Sequence, residues 1–196
     1  MVQQIVLPIK DTNILKMVQD TLLDSVRAGR RNYTVFQVGK ATLLRVSDVM
    51  TLKKSDVYNP DVSVKNTAFV HDKKTGKANM LYLKPVQQDL LQYHDWLVQE
   101  NMNSEWLFPS IDHYDRHITE KQFYKVMERV GDLLGINYLG THPMRKTGAY
   151  RVYTQSNYNI SLVMHLLHHS SEYMTSTYLG LNQDSRKTML DQIDFG

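Results

Sequence analysis

The sequence contains no cysteine, and this absence removes several chemistries at once. Disulfide bonds, thiol nucleophiles and cysteine-bound zinc sites are all excluded. A chain without cysteine suits a reducing compartment, so we expect a cytoplasmic protein.

Long apolar runs are also lacking, since none approaches the roughly 20 residues that a membrane span requires. Residues 1–11 lack the charged-then-apolar pattern of a signal peptide. The net charge of +3 is mildly basic, which permits an anionic partner without requiring one. A length of 196 residues corresponds to one domain, or at most one large and one small, with room for a hydrophobic core.

The hydrophobic pattern predicts a domain that is mainly α-helical. A short arm, residues 1–10, precedes a helix from Asn13 to about Ala28, which Gly29 would end. A second helix from Tyr33 to Thr42 lacks a clean apolar stripe, which indicates burial on more than one side. Further helices are expected at Val86–Glu100, from the Thr119/Gln122 capping box to Leu134, at Ile160–Leu167 and in the terminal residues 184–195.

In residues 62–84 the apolar residues no longer follow the helical spacing, and the pattern predicts one small antiparallel sheet. The β-rich runs VSVKNTAFV and ANMLYL flank the turn sequence HDKKTGK, which contains Gly76. This pattern indicates a β-hairpin with Lys73, Lys74 and Lys77 near its tip. The TGK sequence is not a phosphate-binding loop, because the glycine-rich run and the following Ser or Thr are missing.

Ionisable residues are concentrated in the stretch Thr141–Gly180. His142 and Arg145 lie three residues apart, a spacing that places both side chains on one side of a helix. His169 follows an apolar helical run, and Tyr178 comes nine residues later. The arrangement predicts that Tyr178 is a nucleophile whose hydroxyl is brought back to these cations.

Arg45 lies within an apolar segment, residues 43–52, where an arginine keeps its proton and needs a partner. Asp48, three residues later, is the local candidate. Two interpretations stay open from these residues alone. The two side chains form a buried structural pair, or Asp48 holds Arg45 rigidly while its guanidinium faces a phosphate.

Four segments, taken in order, resemble the catalytic domain of tyrosine recombinases, the phage integrase family. They are LLRVSDV, the hairpin tip with Lys74, HPMR and LLHHSSEYMTSTYLG. The resemblance covers the chain from about Thr12 to its C-terminus. It implies the mainly α fold with a small antiparallel sheet that this family shares with type IB topoisomerases, and double-stranded DNA as the partner.

The resemblance also implies how the DNA phosphate would be held. Arg45 and Arg145 match the two arginines that clamp the non-bridging oxygens of the scissile phosphate, and Asp48 matches the acidic residue that supports the first arginine. Two guanidinium groups can neutralise the charge that develops on phosphorus without a metal ion. We therefore expect neither a metal nor a cofactor.

The remaining site residues are implied in the same way. Lys74 matches the lysine that protonates the leaving 5′-oxygen, and His142 matches the general acid/base. His169 matches the histidine that hydrogen-bonds the phosphate, and Tyr178 matches the nucleophile. Ionising a phenol of ordinary pKa, about 10, at neutral pH costs about 4 kcal/mol, which Arg145 and a histidine base would reduce.

Some residues compete with these assignments or depart from the family pattern. Lys73 and Lys77 are alternatives to Lys74, and Tyr173 is the alternative to Tyr178. His168 stands where glycine or asparagine is usual, and Lys146 stands where a histidine is common. The spacing of His165, His168 and His169 is compatible with zinc, but no HExxH pattern accompanies it.

These residues predict a site-specific DNA recombinase that cuts and rejoins DNA through a 3′-phosphotyrosine intermediate, for integration, excision or inversion. Bond energy is kept in the phosphotyrosine ester, so ATP is unnecessary. Two alternatives are relaxation of supercoils by the same chemistry and a non-catalytic DNA-binding regulator of the same fold.

Organisation and assembly follow only from the resemblance. Residues 1–196 correspond to a single catalytic domain, and the usual N-terminal core-binding domain is absent. The chain is therefore either an excised fragment or a naturally short recombinase, as fimbrial-switch invertases are. We expect a tetramer on DNA, and a monomer is the alternative when no DNA is bound. We also expect a bacterial or phage origin. The C-terminal helix can pack on its own domain or on a neighbour.

Overall fold

The computed structural model describes residues 7–71, 76, 78–139 and 143–181. In chain order its elements are α1 Thr12–Asp24, α2 Gly29–Thr42, α3 Val46–Met50, α4 Lys54–Val57, β1 Thr67–His71, β2 Ala78–Tyr82, a 3-10 turn Lys84–Val86, α5 Gln87–Gln99, α6 Glu120–Leu134, α7 Pro143–Gln155, α8 Ile160–Leu167 and α9 Glu172–Tyr178. This architecture confirms the predicted fold class, mainly α with a small antiparallel sheet. None of the described helices is long and apolar enough to cross a membrane.

The junction between α1 and α2 differs from the prediction. Asp11 caps α1 by accepting from the backbone N–H groups of Asn13 and Ile14, but the helix ends at Asp24 rather than near Ala28. Ala28 has a left-handed φ of 56°, and Gly29 begins α2 instead of ending α1. A side chain at Gly29 would lie 1.8 Å from the carbonyl oxygen of Leu23, so only glycine permits this sharp reversal.

Helix α2 is the central element of the domain. Its buried residues lie all around its axis, which confirms the prediction of burial on more than one side; they are Arg31, Asn32, Thr34, Val35, Phe36, Gln37, Val38 and Gly39. The basic residues Arg30 and Arg31 lie in the first turn of this helix. Within it, Arg31 is buried and donates to the carbonyl oxygen of Pro109.

Helices α2 and α7 approach each other closely because each presents a glycine to the other. A Cβ at Gly39 would lie 2.4 Å from Sδ of Met144, and a Cβ at Gly148 would lie 1.9 Å from the carbonyl oxygen of Lys40. This contact fixes the position of α7, which carries Arg145.

The hydrophobic core has two parts. The larger one is built from α1, α2, α3, α5 and α6 and includes Phe36, Tyr93, Phe108 and Phe123. The smaller one consists of Leu43, Ala149, Val163, Leu167 and Leu179, with Tyr178 packed against it. The second cluster joins α7, α8 and α9 and therefore sets the geometry around Tyr178.

Local signals place several elements as expected. The capping box of Thr119 and Gln122 is present at the start of α6, and Gly135 ends that helix with a φ of 67°. Asn159 caps α8 by accepting from the N–H of Leu162. The predicted bounds of these two helices are confirmed.

The hairpin is also confirmed, with Phe69 paired to Met80 across the antiparallel strands. One face is buried through Ala68 and Leu81, whereas Phe69, Met80 and Tyr82 are exposed on the other. Lys73, Lys74 and Lys77, near the tip, lie outside the described residues, and so does the predicted terminal helix 184–195.

We predict that Gly148→Ala destabilises the protein by about 3 kcal/mol, because its Cβ would meet a backbone carbonyl that cannot move without separating α2 from α7. Chemical denaturation would measure the loss. Gly135→Ala is the control, since a Cβ added there would meet no neighbouring atom within 4 Å and only the left-handed φ opposes the change. It should cost about 1 kcal/mol. Equal losses for the two variants would contradict this account of the α2–α7 contact.

Candidate active site

Arg145 is held from two sides by backbone carbonyl groups. It lies in the first turn of α7, is 8% exposed, and its Nε donates to the carbonyl oxygen of Leu43 at 2.6 Å. Leu43 adopts a left-handed φ of 57° at the end of α2, where helix carbonyl groups lack intrahelical partners. A longer contact of 3.5 Å joins Nη2 to the carbonyl oxygen of Leu167. The guanidinium group is therefore fixed before any ligand binds.

Arg45 and Asp48 flank this group from α3. Arg45 is the N-cap residue of α3 and is partly exposed, whereas Asp48, in its first turn, is buried. Burial lowers the pKa of Arg145, and the charge of Arg45 lowers it further, while Tyr178 and Asp48 raise it. Arg45 is thus close enough for its charge to act on the guanidinium group of Arg145.

A tight turn after α8 positions His169 in the site. His168, the C-cap residue of α8, has a left-handed φ of 55°. That conformation explains why glycine or asparagine is usual at this position, and histidine is among the residues that tolerate it. The departure of His168 from the family pattern therefore leaves the turn intact.

The hydrogen bonds of Thr175 assign the protonation of His169. The Thr175 hydroxyl donates to the carbonyl oxygen of Ser171 at 3.2 Å and lies 3.1 Å from Nδ1 of His169. We assign the single hydroxyl proton to the Ser171 carbonyl, the usual bond of a helical threonine to the residue four positions earlier, so that the oxygen accepts from Nδ1–H of His169. Burial and then the charges of Arg145 and Arg45 lower the pKa of His169, so the ring is neutral at pH 7 and Nε2 carries a lone pair.

Tyr178 is the last residue of α9, and its side chain points into the site. Its hydroxyl oxygen is buried without a hydrogen bond to any of the described residues. Its ring meets the edge of His169 with ring centroids 5.1 Å apart and an interplanar angle of 78°. Burial raises the pKa of the Tyr178 phenol, whereas Arg145 and Arg45 lower it in part. The phenol is therefore protonated in this structure.

The N-terminal arm packs against the end of α9. Ile9 is buried, and its N–H donates to the hydroxyl of Thr147 at 2.9 Å. Lys10 donates from Nζ to the carbonyl oxygen of Gly180 at 3.3 Å. A Cβ at Gly180 would lie 3.2 Å from Cδ2 of Leu7. The sequence predicted an extended arm but not this contact, which links residues at opposite ends of the chain.

Among the predicted site residues, Arg145, His169 and Tyr178 are brought into contact, and Arg45 acts on all three through its charge. His142 and Lys74 lie outside the described residues, and their positions stay predictions. Among the described residues, no group of three or more His, Asp or Glu could hold a metal ion. His165 and His168 are exposed.

Two residues of the site were given no role by the sequence analysis. Thr175 orients His169, and Lys146 lies with Nζ 4.8 Å from the centroid of the Tyr178 ring. In the sequence, only position could have pointed to them, since Thr175 lies three residues before Tyr178 and Lys146 directly follows Arg145.

Comparison with known proteins agrees with this geometry. Residues 12–185 match the model of the phage integrase family. A protein of Bacillus subtilis (strain 168) described as the probable integrase/recombinase YoeC is 28% identical over 183 residues, which are 93% of this chain and 94% of that protein.

Solved structures share the fold at lower identity. A XerH site-specific recombinase, in a post-cleavage complex with its palindromic difH substrate, has a TM-score of 0.68 and 19% identity, and the match covers 95% of this chain and 53% of that one. XerA recombinase has a TM-score of 0.69 and 20% identity, over 98% of this chain and 65% of that one. The present chain thus spans roughly half to two thirds of these solved chains.

Together, the helical fold with its hairpin and the Arg–His–Tyr cluster define the catalytic domain of a tyrosine-type site-specific recombinase. With a family match over most of its length, the chain belongs to the phage integrase family. The predicted family and class of enzyme are therefore confirmed.

We predict that Arg145→Lys destabilises the protein by about 2 kcal/mol, because an ammonium group cannot replace the Nε donor that satisfies the carbonyl of Leu43. The free energy of unfolding in denaturant measures the change. Arg129→Lys, on the exposed face of α6, is the matched control and should stay within about 0.5 kcal/mol of wild type. If Arg145→Lys left the free energy of unfolding unchanged, this hydrogen bond would not be what holds α7 to α2.

Proposed function

We propose that this protein breaks and rejoins DNA strands at specific sites, with Tyr178 as the nucleophile. The observation that carries the proposal is the position of the Tyr178 side chain, which lies half-buried between Arg145 and His169 at the end of α9 with its hydroxyl oxygen buried. A phenol that lies beside cationic groups has the chemistry for attack on an anionic phosphodiester.

The first step is recognition of the scissile phosphate. Arg145 is already immobilised by Leu43, so little side-chain entropy is lost when its guanidinium binds an oxygen. Arg45, partly exposed at the N-terminus of α3, supplies the second cation from the neighbouring element. With both groups in place, negative charge that builds on the phosphate oxygens is offset without a metal ion.

The second step is attack by Tyr178 on phosphorus. The phenol is protonated in this structure, so its proton must leave as the oxygen–phosphorus bond forms. His142 is the proposed acceptor. The bond from phosphorus to the 5′-oxygen then breaks, and Lys74 donates the proton that this oxygen needs to leave. The products are a 3′-phosphotyrosine and a free 5′-hydroxyl, and attack by a 5′-hydroxyl in the reverse sense restores a DNA strand.

His169 changes protonation during phosphate binding in this proposal. As the neutral Nδ1–H tautomer it cannot donate from Nε2 to a phosphate oxygen. An incoming phosphate places negative charge against Arg145 and Arg45, the groups that lower the pKa of His169. Its pKa therefore rises, Nε2 takes up a proton, and the ring becomes a hydrogen-bond donor to the phosphate.

Double-stranded DNA is the proposed partner, and a tetramer on two duplexes is the proposed assembly. Solved proteins that share this fold include XerH bound to its difH substrate and a lambda integrase dimer bound to a core site, the latter with a TM-score of 0.65 and 17% identity over 99% of this chain and 65% of that one. We also propose that residues 1–196 form a single catalytic domain.

We predict that Tyr178→Phe abolishes covalent capture of DNA, because the attacking oxygen is removed while the ring is kept. A library of nicked suicide duplexes with a randomised core is first enriched for binding with the Tyr178→Phe variant. Wild-type protein is then incubated with the selected duplexes, and the adduct is detected by denaturing electrophoresis. Tyr173→Phe is the control and should react as wild type does, since Tyr173 is 76% exposed on the same helix.

Three outcomes are distinct. An adduct with wild type and Tyr173→Phe but not with Tyr178→Phe supports the proposal. An adduct that persists in Tyr178→Phe and is lost in Tyr173→Phe would assign the nucleophile to Tyr173. Tight binding without an adduct from any of the proteins would favour the DNA-binding regulator.

We predict that the affinity for the selected duplex falls steeply with salt, because bound phosphates release counterions. The Tyr178→Phe variant, which cannot react, allows the dissociation constant to be measured at equilibrium by fluorescence anisotropy. The logarithm of affinity should fall linearly with the logarithm of salt concentration, by roughly 100-fold or more over a fourfold increase in salt. A flat response would contradict DNA phosphate as the principal contact.

A further inference from the structure

Lys146 is a cation of the site to which neither the predicted motif nor the family resemblance gives a role. It follows Arg145 on α7, is half-buried, and places Nζ 4.8 Å from the centroid of the Tyr178 ring. We propose that Lys146 is a positioning residue for the nucleophile, whose ammonium group packs on the aromatic ring of Tyr178 and holds the hydroxyl toward the phosphate site. Its relevance to catalysis rests on the function proposed above.

The polar end of Tyr178 holds the ring only weakly. Its hydroxyl makes no hydrogen bond of good geometry to the described residues, and Arg145 is the one described residue that acts on it by both charge and hydrogen bonding. Leu179 anchors the backbone of α9 in the smaller core, and His169 meets the ring edge. Misplacement of a reacting atom by about 1 Å can cost roughly 100-fold in rate, so the orientation of this ring matters for attack.

An ammonium group is suited to this task. The face of an aromatic ring carries partial negative charge and attracts a cation, more strongly when water is partly excluded. Lys146 is half-buried, so its ammonium group is partly desolvated here, and this burial lowers its pKa. The guanidinium carbon of Arg145, by comparison, lies 6.0 Å from the same centroid and is held by the carbonyl of Leu43.

The other charged groups around Tyr178 act on a different part of the residue. Arg145 and Arg45 lower the pKa of the phenol, Asp48 acts on Arg145, and His169 contacts the ring edge. Burial, Arg145 and Arg45 are the causes of the shift in the phenol pKa, whereas the contact that Lys146 makes is with the ring itself. A positioning role follows from this division.

The contact can be tested first without DNA, by a double-mutant cycle on thermal stability. Lys146→Met keeps the aliphatic stem and removes the charge, Tyr178→Leu removes the ring, and Tyr178→Phe keeps it. We expect Lys146→Met to lower the melting temperature by roughly 2 to 6 °C in wild type and in Tyr178→Phe. In Tyr178→Leu the same change should have almost no effect. Equal losses in all three backgrounds would overturn the proposed contact.

The catalytic consequence is tested with the selected suicide duplex, at saturating DNA. Lys146→Met should form the adduct roughly 3- to 30-fold more slowly than wild type, with its dissociation constant for DNA within about twofold of the wild-type value. Lys146→Arg, which keeps a cation for the ring, should restore the rate to within about threefold. Lys121→Met, on the exposed face of α6, is the matched control and should leave rate and affinity unchanged.

The outcomes separate this proposal from the proposed function. If Lys146→Met weakens binding and flattens its salt dependence but leaves the saturating rate unchanged, Lys146 is a phosphate contact and the positioning role is overturned. Failure of Lys146→Arg to restore the rate would also overturn it. If wild-type protein forms no adduct at all, the proposed function fails, and the stability cycle still decides whether Lys146 and the ring of Tyr178 are coupled.

Discussion

The hydrogen bond from Nε of Arg145 to the carbonyl oxygen of Leu43 is the interaction on which the site depends. It joins the start of α7 to the left-handed end of α2, in the place where Gly39 and Gly148 let the two helices approach. A buried guanidinium cannot lose its proton, so it must be satisfied by acceptors and charges. Here a backbone carbonyl does so while leaving the group near Tyr178.

Burial and positive charge have opposite effects on the pKa of the Tyr178 phenol. Burial favours the neutral phenol, and the arginines favour the phenolate, so the residue stays protonated yet is surrounded by groups that stabilise its ionised form. Burial and then the same arginines lower the pKa of His169 and keep its ring neutral. One pair of cations therefore acts on the pKa of both groups, and an anion placed between them changes both together.

The sequence predicts those parts of the fold and of the site whose signals are local. The bounds of α8 follow from an apolar run after Asn159, and the order of Arg45, Arg145, His169 and Tyr178 gave the family. The start of α2 was missed because it depends on the absence of a side chain at Gly29 beside the Leu23 carbonyl, which no periodicity reports. Contacts between distant segments, such as Lys146 with Tyr178 or Ile9 with Thr147, arise only once the helices are packed.

The arm at residues 7–10 has a structural consequence. It is bonded to α7 through Thr147 and to the chain just beyond α9 through Gly180, so it spans the two elements that carry Arg145 and Tyr178. Ile9 is also part of the larger hydrophobic core, so the arm joins that core to the end of α9. The placement of the attacking residue therefore depends on residues that lie at the other end of the sequence.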